Sequence, residues 1–150
     1  MEKLYITSLQ NPLVKAWRAL KDAKARAEQG LCLADGDHLT GEALTAHAAA
    51  ALLIAEQEQT RYQRHLDAAQ GQNLPVYVLS DRAMGAVCDA KTPQGVAALC
   101  RLPQLHQPLP ADKLKIAALD GVQDPGNVGT MLRTLDAAGF DALLLGAGTA

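Results

Sequence analysis

The order of hydrophobic and polar positions along the chain switches repeatedly between two patterns. Short apolar runs, which are typical of buried strands, alternate with longer stretches in which apolar residues recur at helical spacing. Before residue 101, the runs predict four strands, at residues 31–34, 51–55, 75–79 and 96–100. The remaining stretches predict four helices, at residues 12–29, 37–47, 56–69 and 81–88. Such alternation is typical of a layered α/β domain, which we expect to end near Arg101.

The first predicted helix separates apolar residues from cations. Asn11 is expected to cap it and Pro12 to occupy its first position, where the missing amide proton is harmless. Its apolar face is predicted to contain Leu13, Ala16, Trp17 and Leu20. The other side carries Lys15, Arg18 and Lys21. These cations are either solvated or bound to an RNA backbone, which requires positive charge but no fixed spacing.

A proline-rich segment separates this domain from the rest of the chain. Residues 102–112 contain Pro103, Pro108 and Pro110, which disfavour helix and central strand and indicate an extended linker. Residues 113–150 then predict a strand at 116–119, a loop, a helix and a second strand at 142–145. A single βαβ unit is too small to bury a core by itself, so we interpret it as the first part of a larger domain.

Candidate chemistry falls between these last two strands. Turn-forming residues at 120–126 precede a helix for which Asn127 is the candidate N-cap. The apolar stripe of this helix is predicted to contain Val128, Met131, Leu132, Leu135, Ala138 and Gly139. Arg133 lies opposite the stripe and should point away from the sheet, either into solvent or toward a ligand. The loop glycines match neither the dinucleotide fingerprint nor the P-loop, so neither phosphate-binding mechanism is indicated.

Charge and cysteine content narrow the possible function classes. The formal net charge of −2 excludes a uniformly basic nucleic-acid binder, but residues 1–30 sum to +3 and permit a local phosphate-binding face. Cys32, Cys88 and Cys100 form no C-x-x-C pair and lack metal-ligand spacing with the histidines. We therefore expect the buried, reduced thiols of a cytosolic protein and no metal site. The longest apolar run, residues 48–55, is too short to cross a membrane.

One contiguous motif resembles that of a known enzyme family. Residues 120–140 read D-G-V-Q-D-P-G-N-V-G-T-M-L-R-T-L-D-A-A-G-F and resemble the first signature motif of the SpoU branch of SPOUT RNA ribose methyltransferases. The resemblance implies that Asn127 and Arg133 are the catalytic residues. The motif loop that it implies contains Asp124, Gly126 and Gly129. Leu135 stands where the family usually has a small residue, which should affect packing more than chemistry.

Earlier segments resemble the substrate-binding domain that precedes the catalytic domain in SpoU enzymes. These segments are I-T-S-L-Q-N-P-L-V-K, G-L-C-L-A-D-G and K-T-P-Q-G-V-A-A-L. That domain is similar to a small α/β sandwich found among ribosomal RNA-binding proteins, so residues 1–101 are expected to bind the RNA substrate. Asp35 replaces the Glu expected before Gly36, which keeps the charge on a shorter side chain. The candidate RNA contacts are Lys15, Arg18, Lys24, Arg26 and Lys91.

The family resemblance implies a specific activity for the intact protein. The expected enzyme is cytoplasmic and methylates the ribose 2′-hydroxyl of structured rRNA or tRNA with S-adenosylmethionine. It is expected to be a homodimer with no DNA or membrane partner. The later family motifs, which build the knotted pocket for the methyl donor, are absent from residues 113–150. We therefore expect an N-terminal portion of the enzyme, which binds no methyl donor and is inactive by itself.

Two other function classes and three roles for Arg133 stay open from the sequence. The chain is alternatively a non-catalytic RNA-binding module, or a mononucleotide-binding α/β protein that uses the glycine-bearing loop. Arg133 itself can be a general base, an electrostatic stabiliser or a phosphate clamp. The last two roles are physically easier, because a guanidinium keeps its proton in proteins.

Overall fold

The computed structural model describes residues 3–88, 93–102 and 114–150. The chain divides into two compact units, Met1–Pro103 and Gln104–Ala150, which are called unit 1 and unit 2 and are described separately. The predicted linker lies outside the described residues except for Leu102, and so does Lys91. The expectations for these residues stay predictions.

Within residues 3–88 and 93–102, five strands form one sheet. They are β1 (Lys3–Ile6), β2 (Leu31–Asp35), β3 (Ala49–Ala55), β4 (Val76–Leu79) and β5 (Val96–Arg101). The sheet order is β1-β4-β3-β5-β2, with β1, β4 and β3 parallel and β5 antiparallel to both of its neighbours. The four strands expected from the sequence are confirmed, and β1 is an additional edge strand. In β1 only Ile6 is buried, so its sequence carries no clear burial pattern.

Helices cover both faces of this sheet. They are α1 (Pro12–Ala19), α2 (Ala23–Gln29), α3 (Asp37–Thr45), α4 (Gln63–Gly71) and α5 (Asp81–Val87), with a short 3₁₀ helix at Glu56–Glu58. Because side chains alternate along a strand, β3 sends Leu53 to one face and Leu52 and Ile54 to the other. The first face packs against α1 and α5, and the second against α3 and α4. Unit 1 is therefore the α/β sandwich that the sequence predicts.

The helix predicted over residues 12–29 is in fact two helices. The chain leaves helical geometry before Asp22, whose carboxylate caps α2 by accepting a 2.7 Å hydrogen bond from the Lys24 amide. Aspartate is unfavourable inside a helix and favourable as an N-cap, which explains the break. The apolar face of α1 is also rotated from the predicted one, because Val14 is fully buried whereas Leu13 is 40% exposed.

Two further helix predictions are corrected by the structure. Residues 56–69 form a 3₁₀ helix and part of the separate helix α4, rather than one polar helix. The pattern of residues 37–47 predicts that Leu39, Ala43 and Leu44 face inward, but in α3 Leu39 is 54% exposed and Thr40 is buried instead. The Thr40 hydroxyl donates to the Ala34 carbonyl at 3.4 Å, so the buried polar group has a partner. Ser80 caps α5 by accepting a 3.3 Å hydrogen bond from an amide in the first turn.

Unit 2 has the predicted strand–helix–strand order. It consists of β6 (Ile116–Leu119), α6 (Pro125–Ala137) and β7 (Ala142–Leu145), with β6 and β7 parallel. The helix begins at Pro125 and is capped by Asp124, so the prediction that Asn127 is the N-cap is wrong. Proline is favoured at the first helical position, which places the cap one residue before it. No residue of α6 is fully buried, and Leu132 on the apolar stripe is 51% exposed.

Candidate functional site

The first turn of α6 is built around the carboxylate of Asp124. Its Oδ1 atom accepts hydrogen bonds from the amides of Gly126 at 2.7 Å and Asn127 at 3.1 Å. A Cβ atom on Gly126 would lie 2.9 Å from the same oxygen, so a larger residue would displace the carboxylate. Asp124 and Gly126 are therefore held together, and Asn127 is exposed beside them in the first turn.

The guanidinium of Arg133 is exposed and is tied back toward this turn. Its Nη2 atom donates to the Thr130 hydroxyl at 3.3 Å, and that hydroxyl donates to the Gly126 carbonyl at 2.9 Å. A Cβ atom added to Gly129 would lie 3.6 Å from Nη1, so the guanidinium passes over this glycine. The structure thus joins Arg133 to the motif loop through Thr130, a residue that sequence reasoning did not single out.

The chain after β7 packs closely against the loop after β6. Gly146 donates its amide to the Leu119 carbonyl at 2.7 Å, and a Cβ atom on Gly146 would lie 2.6 Å from an oxygen of Asp120. Backbone atoms of Leu119 and Asp120 would also lie within 3.3 Å of this Cβ atom, so the close approach of the two segments requires glycine at position 146. Both segments follow the carboxyl ends of parallel strands, which is where open α/β sheets bind ligands.

Two of the cations predicted to contact RNA are engaged within unit 1. Arg26 stabilises the end of α1, because its Nη1 atom donates to the carbonyls of Leu20 and Lys21, both at 3.0 Å. Lys24 lies 3.9 Å from Glu28, and both side chains are exposed. An exposed ion pair of this kind contributes little to stability. Arg26 therefore has a structural role at the end of α1, Lys24 is exposed to solvent, and the RNA contacts expected for both residues stay predictions.

Lys15 and Arg18 instead line an open groove between α1 and α5. The groove has a volume of about 570 Å³. The residues around it are Lys15, Arg18, Ala19, Lys21, Gly85 and Ala86. The structure therefore brings together two of the predicted RNA contacts with Lys21, which was expected on the same side of the helix.

A cluster that the sequence did not reveal surrounds Asp37 at the start of α3. Its Oδ1 atom accepts a hydrogen bond from Arg64 at 2.7 Å and lies 2.6 Å from Nε2 of His65. Its amide donates to the Gln94 side chain at 2.8 Å, which connects the start of α3 to the chain just before β5. Asp37 also lines two open hollows of about 420 and 500 Å³. The one local feature of the sequence that indicates a special backbone conformation before Asp37 is Gly36, which adopts a positive φ of 94°.

Asp37 is expected to make stability depend on pH in the acid range. The hydrogen bond from Arg64, and then the one from His65, hold the pKa of the Asp37 carboxyl below its ordinary value of 3.8. Ionised Asp37 therefore stabilises the fold fully above pH 3.8, and this contribution is lost as the pH falls through the lower pKa of the folded state. We expect Asp37→Asn to lower the free energy of unfolding at pH 7 and to flatten its decline below about pH 4.

Urea unfolding at pH 7, 4 and 3 measures both effects. Asp67→Asn is the matched control, because Asp67 is an exposed carboxylate on α4 that accepts a side-chain hydrogen bond from Gln63 on the same helix. A wild-type pH dependence in the Asp37→Asn protein would contradict the stabilising role of Asp37.

The cysteine thiols are placed as packing groups rather than as nucleophiles. Cys88 and Cys100 are buried and Cys32 is half-buried. Burial, and then the adjacent Cys32, raise the pKa of the Cys100 thiol to about 11, so it stays protonated at neutral pH. Across the described ranges, no group of three or more His, Cys, Asp or Glu residues is placed to hold a metal ion. In the same ranges, no helix has the length and apolar character to span a bilayer.

Comparison with known proteins identifies relatives of both units. Residues 11–98 match the family described as MRM3-like substrate binding domain. Over 145 residues, the chain is 41% identical to the 23S rRNA (guanosine(2553)-2'-O)-methyltransferase RlmP of Bacillus subtilis, which covers 97% of this chain and 55% of the relative. The chain therefore spans about half the length of this relative.

Solved structures share the same fold. An rRNA methyltransferase from Sinorhizobium meliloti superposes with a TM-score of 0.79 and 28% identity, covering 100% of this chain and 57% of that protein. Its AdoMet-bound form superposes with a TM-score of 0.77 and 29% identity, covering 99% and 56%. Since the family match spans more than half of its residues, this chain belongs to the MRM3-like substrate binding domain family and is homologous to the SpoU rRNA methyltransferases.

Proposed function

We propose that the protein is an RNA ribose 2′-O-methyltransferase that acts on rRNA or tRNA and uses S-adenosylmethionine. The observation that carries the proposal is the chain of hydrogen bonds from Arg133 through Thr130 to Gly126, beside the Asp124 cap. These contacts hold an exposed guanidinium in place, which reduces the conformational entropy lost when it engages a substrate. The region aligned with the B. subtilis methyltransferase covers 97% of this chain and so includes this motif, which supports the same function.

Arg133 is proposed to act by electrostatics at the ribose. Methyl transfer would break the methyl–sulfur bond of the bound donor and release its thioether, while the 2′-hydroxyl loses its proton to water; negative charge develops on the 2′-oxygen as the proton leaves. A guanidinium keeps its own proton, so Arg133 stabilises this charge or clamps an adjacent phosphate rather than accepting the proton. Asn127, exposed in the first turn of α6, is proposed to fix the loop and to contact the ribose or the RNA backbone.

S-adenosylmethionine supplies the methyl group when it is bound. The hollows described above are lined by residues of unit 1, and we assign no donor-binding residue to the described part of unit 2. The B. subtilis relative is nearly twice as long as the region that it shares with this chain. We therefore propose that residues outside these 150 complete the donor site, so that the chain alone binds no donor and is inactive.

The two units are proposed to have different roles, RNA binding in one and catalysis in the other. Residues 1–101 hold structured RNA, residues 102–112 form a linker, and residues 113–150 carry the catalytic motif. A homodimer is part of the proposal, because α6 exposes the apolar residues Met131 and Leu132 beside Arg133. A cytoplasmic location fits the protonated, buried Cys100 thiol, which suits a reducing compartment.

Thr130 is proposed as a positioning residue for Arg133. Thr130→Val keeps the shape of the side chain but removes both hydrogen bonds of the hydroxyl, so we expect the rate of methyl transfer at saturating RNA to fall roughly tenfold. The Michaelis constant for RNA should stay close to wild type, because the groove on unit 1 is untouched. Thr130→Ser restores the hydroxyl and should restore the rate. Equal losses in both variants would show that the hydroxyl does not act on Arg133.

A labelled methyl-transfer assay tests the proposed activity. The full-length protein is incubated with total ribosomal RNA and S-adenosylmethionine that carries a labelled methyl group. The proposal predicts that RNA acquires the label. RNA binding without any transfer would instead support the non-catalytic RNA-binding module.

A further inference from the structure

The α1 wall of the groove between α1 and α5 carries two exposed cations, Lys15 and Arg18. Lys15 and Arg18 lie one turn apart on α1, and both are exposed. The helix contains no acidic residue, and none of the described residues that line the groove is acidic. Like charges one turn apart on a helix repel each other, so an anionic ligand in the groove would relieve this repulsion.

Gly85 lies on the opposite wall of the groove, where it leaves space for a ligand. It lies inside α5, where glycine is less favourable than almost any other residue. A Cβ atom on Gly85 would meet no atom within 4 Å, whereas one on Gly41 of α3 would lie 3.4 Å from His65. No described neighbour in the chain therefore requires a glycine at position 85. A missing side chain on a groove wall allows the backbone of a ligand to approach closely.

The walls of the groove are fixed by the core beneath them. Trp17 of α1 packs in the same buried cluster as Met84 and Val87 of α5. The ammonium group of Lys21 donates to the Cys88 carbonyl at 2.9 Å, which connects the end of α1 to the end of α5. The groove is therefore largely preformed, and little ordering entropy opposes binding.

We infer that this groove binds the phosphate backbone of RNA, through contacts that do not read the base sequence. The inference rests on the proposed function for the identity of the anion. Lysine and arginine neutralise phosphates wherever they lie along a strand, and the Gly85–Ala86 wall offers no side chain that could hydrogen-bond a base. Arg82 is exposed on α5 one turn before Gly85 and adds a further cation on the α5 side of the groove.

Two sets of variants test the groove. Gly85→Leu fills it without an internal clash and improves helix propensity, so we expect unchanged or higher thermal stability with RNA affinity reduced roughly tenfold. Lys15→Gln/Arg18→Gln should reduce the slope of log affinity against log salt by about 1.5, the value for two lost phosphate contacts. The probe is a labelled RNA transcript that contains guanosine 2553 of 23S rRNA and its flanking sequence, because this is the nucleotide named for the B. subtilis relative.

Matched controls come from the other face of the sheet. Gly71→Leu makes the same change at the end of α4, where a Cβ atom also meets nothing within 4 Å. Arg61→Gln removes a cation beside Tyr62, which packs in the opposite core. Both controls should bind RNA as wild type does.

The outcomes separate this inference from the proposed function. If the groove variants keep wild-type affinity and salt slope, or if the controls lose as much affinity, RNA does not bind in the groove, and methyl transfer by the wild type would still support the proposed function. If the groove variants lose binding but the wild type transfers no methyl group, RNA binds in the groove but the proposed methyltransferase activity is wrong. A wild-type protein that binds polyglutamate or anionic vesicles but not RNA would overturn both.

Discussion

Replacing Arg133 with alanine is expected to reduce the rate of methyl transfer about 10²–10³-fold while RNA affinity stays within about threefold of wild type. The reason is that a charge placed for the transition state contributes to the chemical step, whereas RNA is held by many separate phosphate contacts. Single-turnover methyl transfer and equilibrium RNA binding, measured on the full-length protein, separate the two effects.

Two companion variants define what Arg133 contributes. Arg133→Lys keeps the positive charge but loses the planar fork and the bond to Thr130, so its rate should fall between those of the wild type and the alanine variant. Asp136→Ala, an exposed residue on the same helix, should leave the rate unchanged. A fully active Arg133→Ala protein would contradict the catalytic role.

Trp17→Ala is expected to destabilise unit 1 by about 3–5 kcal/mol. Trp17 is 4% exposed and packs edge-on against Tyr77 with ring centroids 4.9 Å apart, so its removal leaves a large cavity under α1. Because α1 carries Lys15 and Arg18, RNA affinity should fall together with the order of this helix. Urea unfolding and RNA binding at low temperature measure the two effects.

The neighbouring Leu13 is the matched control for Trp17. The sequence places both residues on the apolar face of the helix, but the structure leaves Leu13 40% exposed. Leu13→Ala should therefore change stability by no more than about 0.5 kcal/mol, as is usual for surface positions. Similar losses in the two variants would show that α1 packs with the face predicted from the sequence rather than with the face observed.

Elements with strong local signals could be predicted from the sequence, and elements decided by packing could not. The runs at β3 and β5 are continuous and apolar, and they were located to within two residues. By contrast, the helical spacing of apolar residues over 12–29 continues through Asp22. Only the hydrogen bond from the Lys24 amide to the Asp22 carboxylate reveals that the helix breaks there. The edge strand β1 was missed because burial there falls on Ile6 alone.

The same distinction between local sequence signals and packing applies to the residues of the candidate site. Arg133, Asn127 and Gly126 could be named as candidates from the sequence because they belong to one contiguous motif on a single loop and helix, and their functional roles stay predictions. The hydrogen bond between Asp37 and Gln94 joins residues far apart in the chain, and it depends on a strand pairing that hydrophobic periodicity does not specify. The closeness of Gly85 to Lys15 likewise follows from the packing of α1 and α5 on one face of the sheet.

The position of the transferred methyl group tests the central claim most directly. Ribosomal RNA labelled by the full-length protein is digested to nucleosides, and each labelled nucleoside is identified by mass spectrometry. Ribose methylation at a hydroxyl beside the Arg133 guanidinium predicts that the label lies on 2′-O-methylnucleosides and forms about 10²–10³-fold more slowly with Arg133→Ala. Label on a base, or ribose label that forms at the wild-type rate without Arg133, would contradict the account.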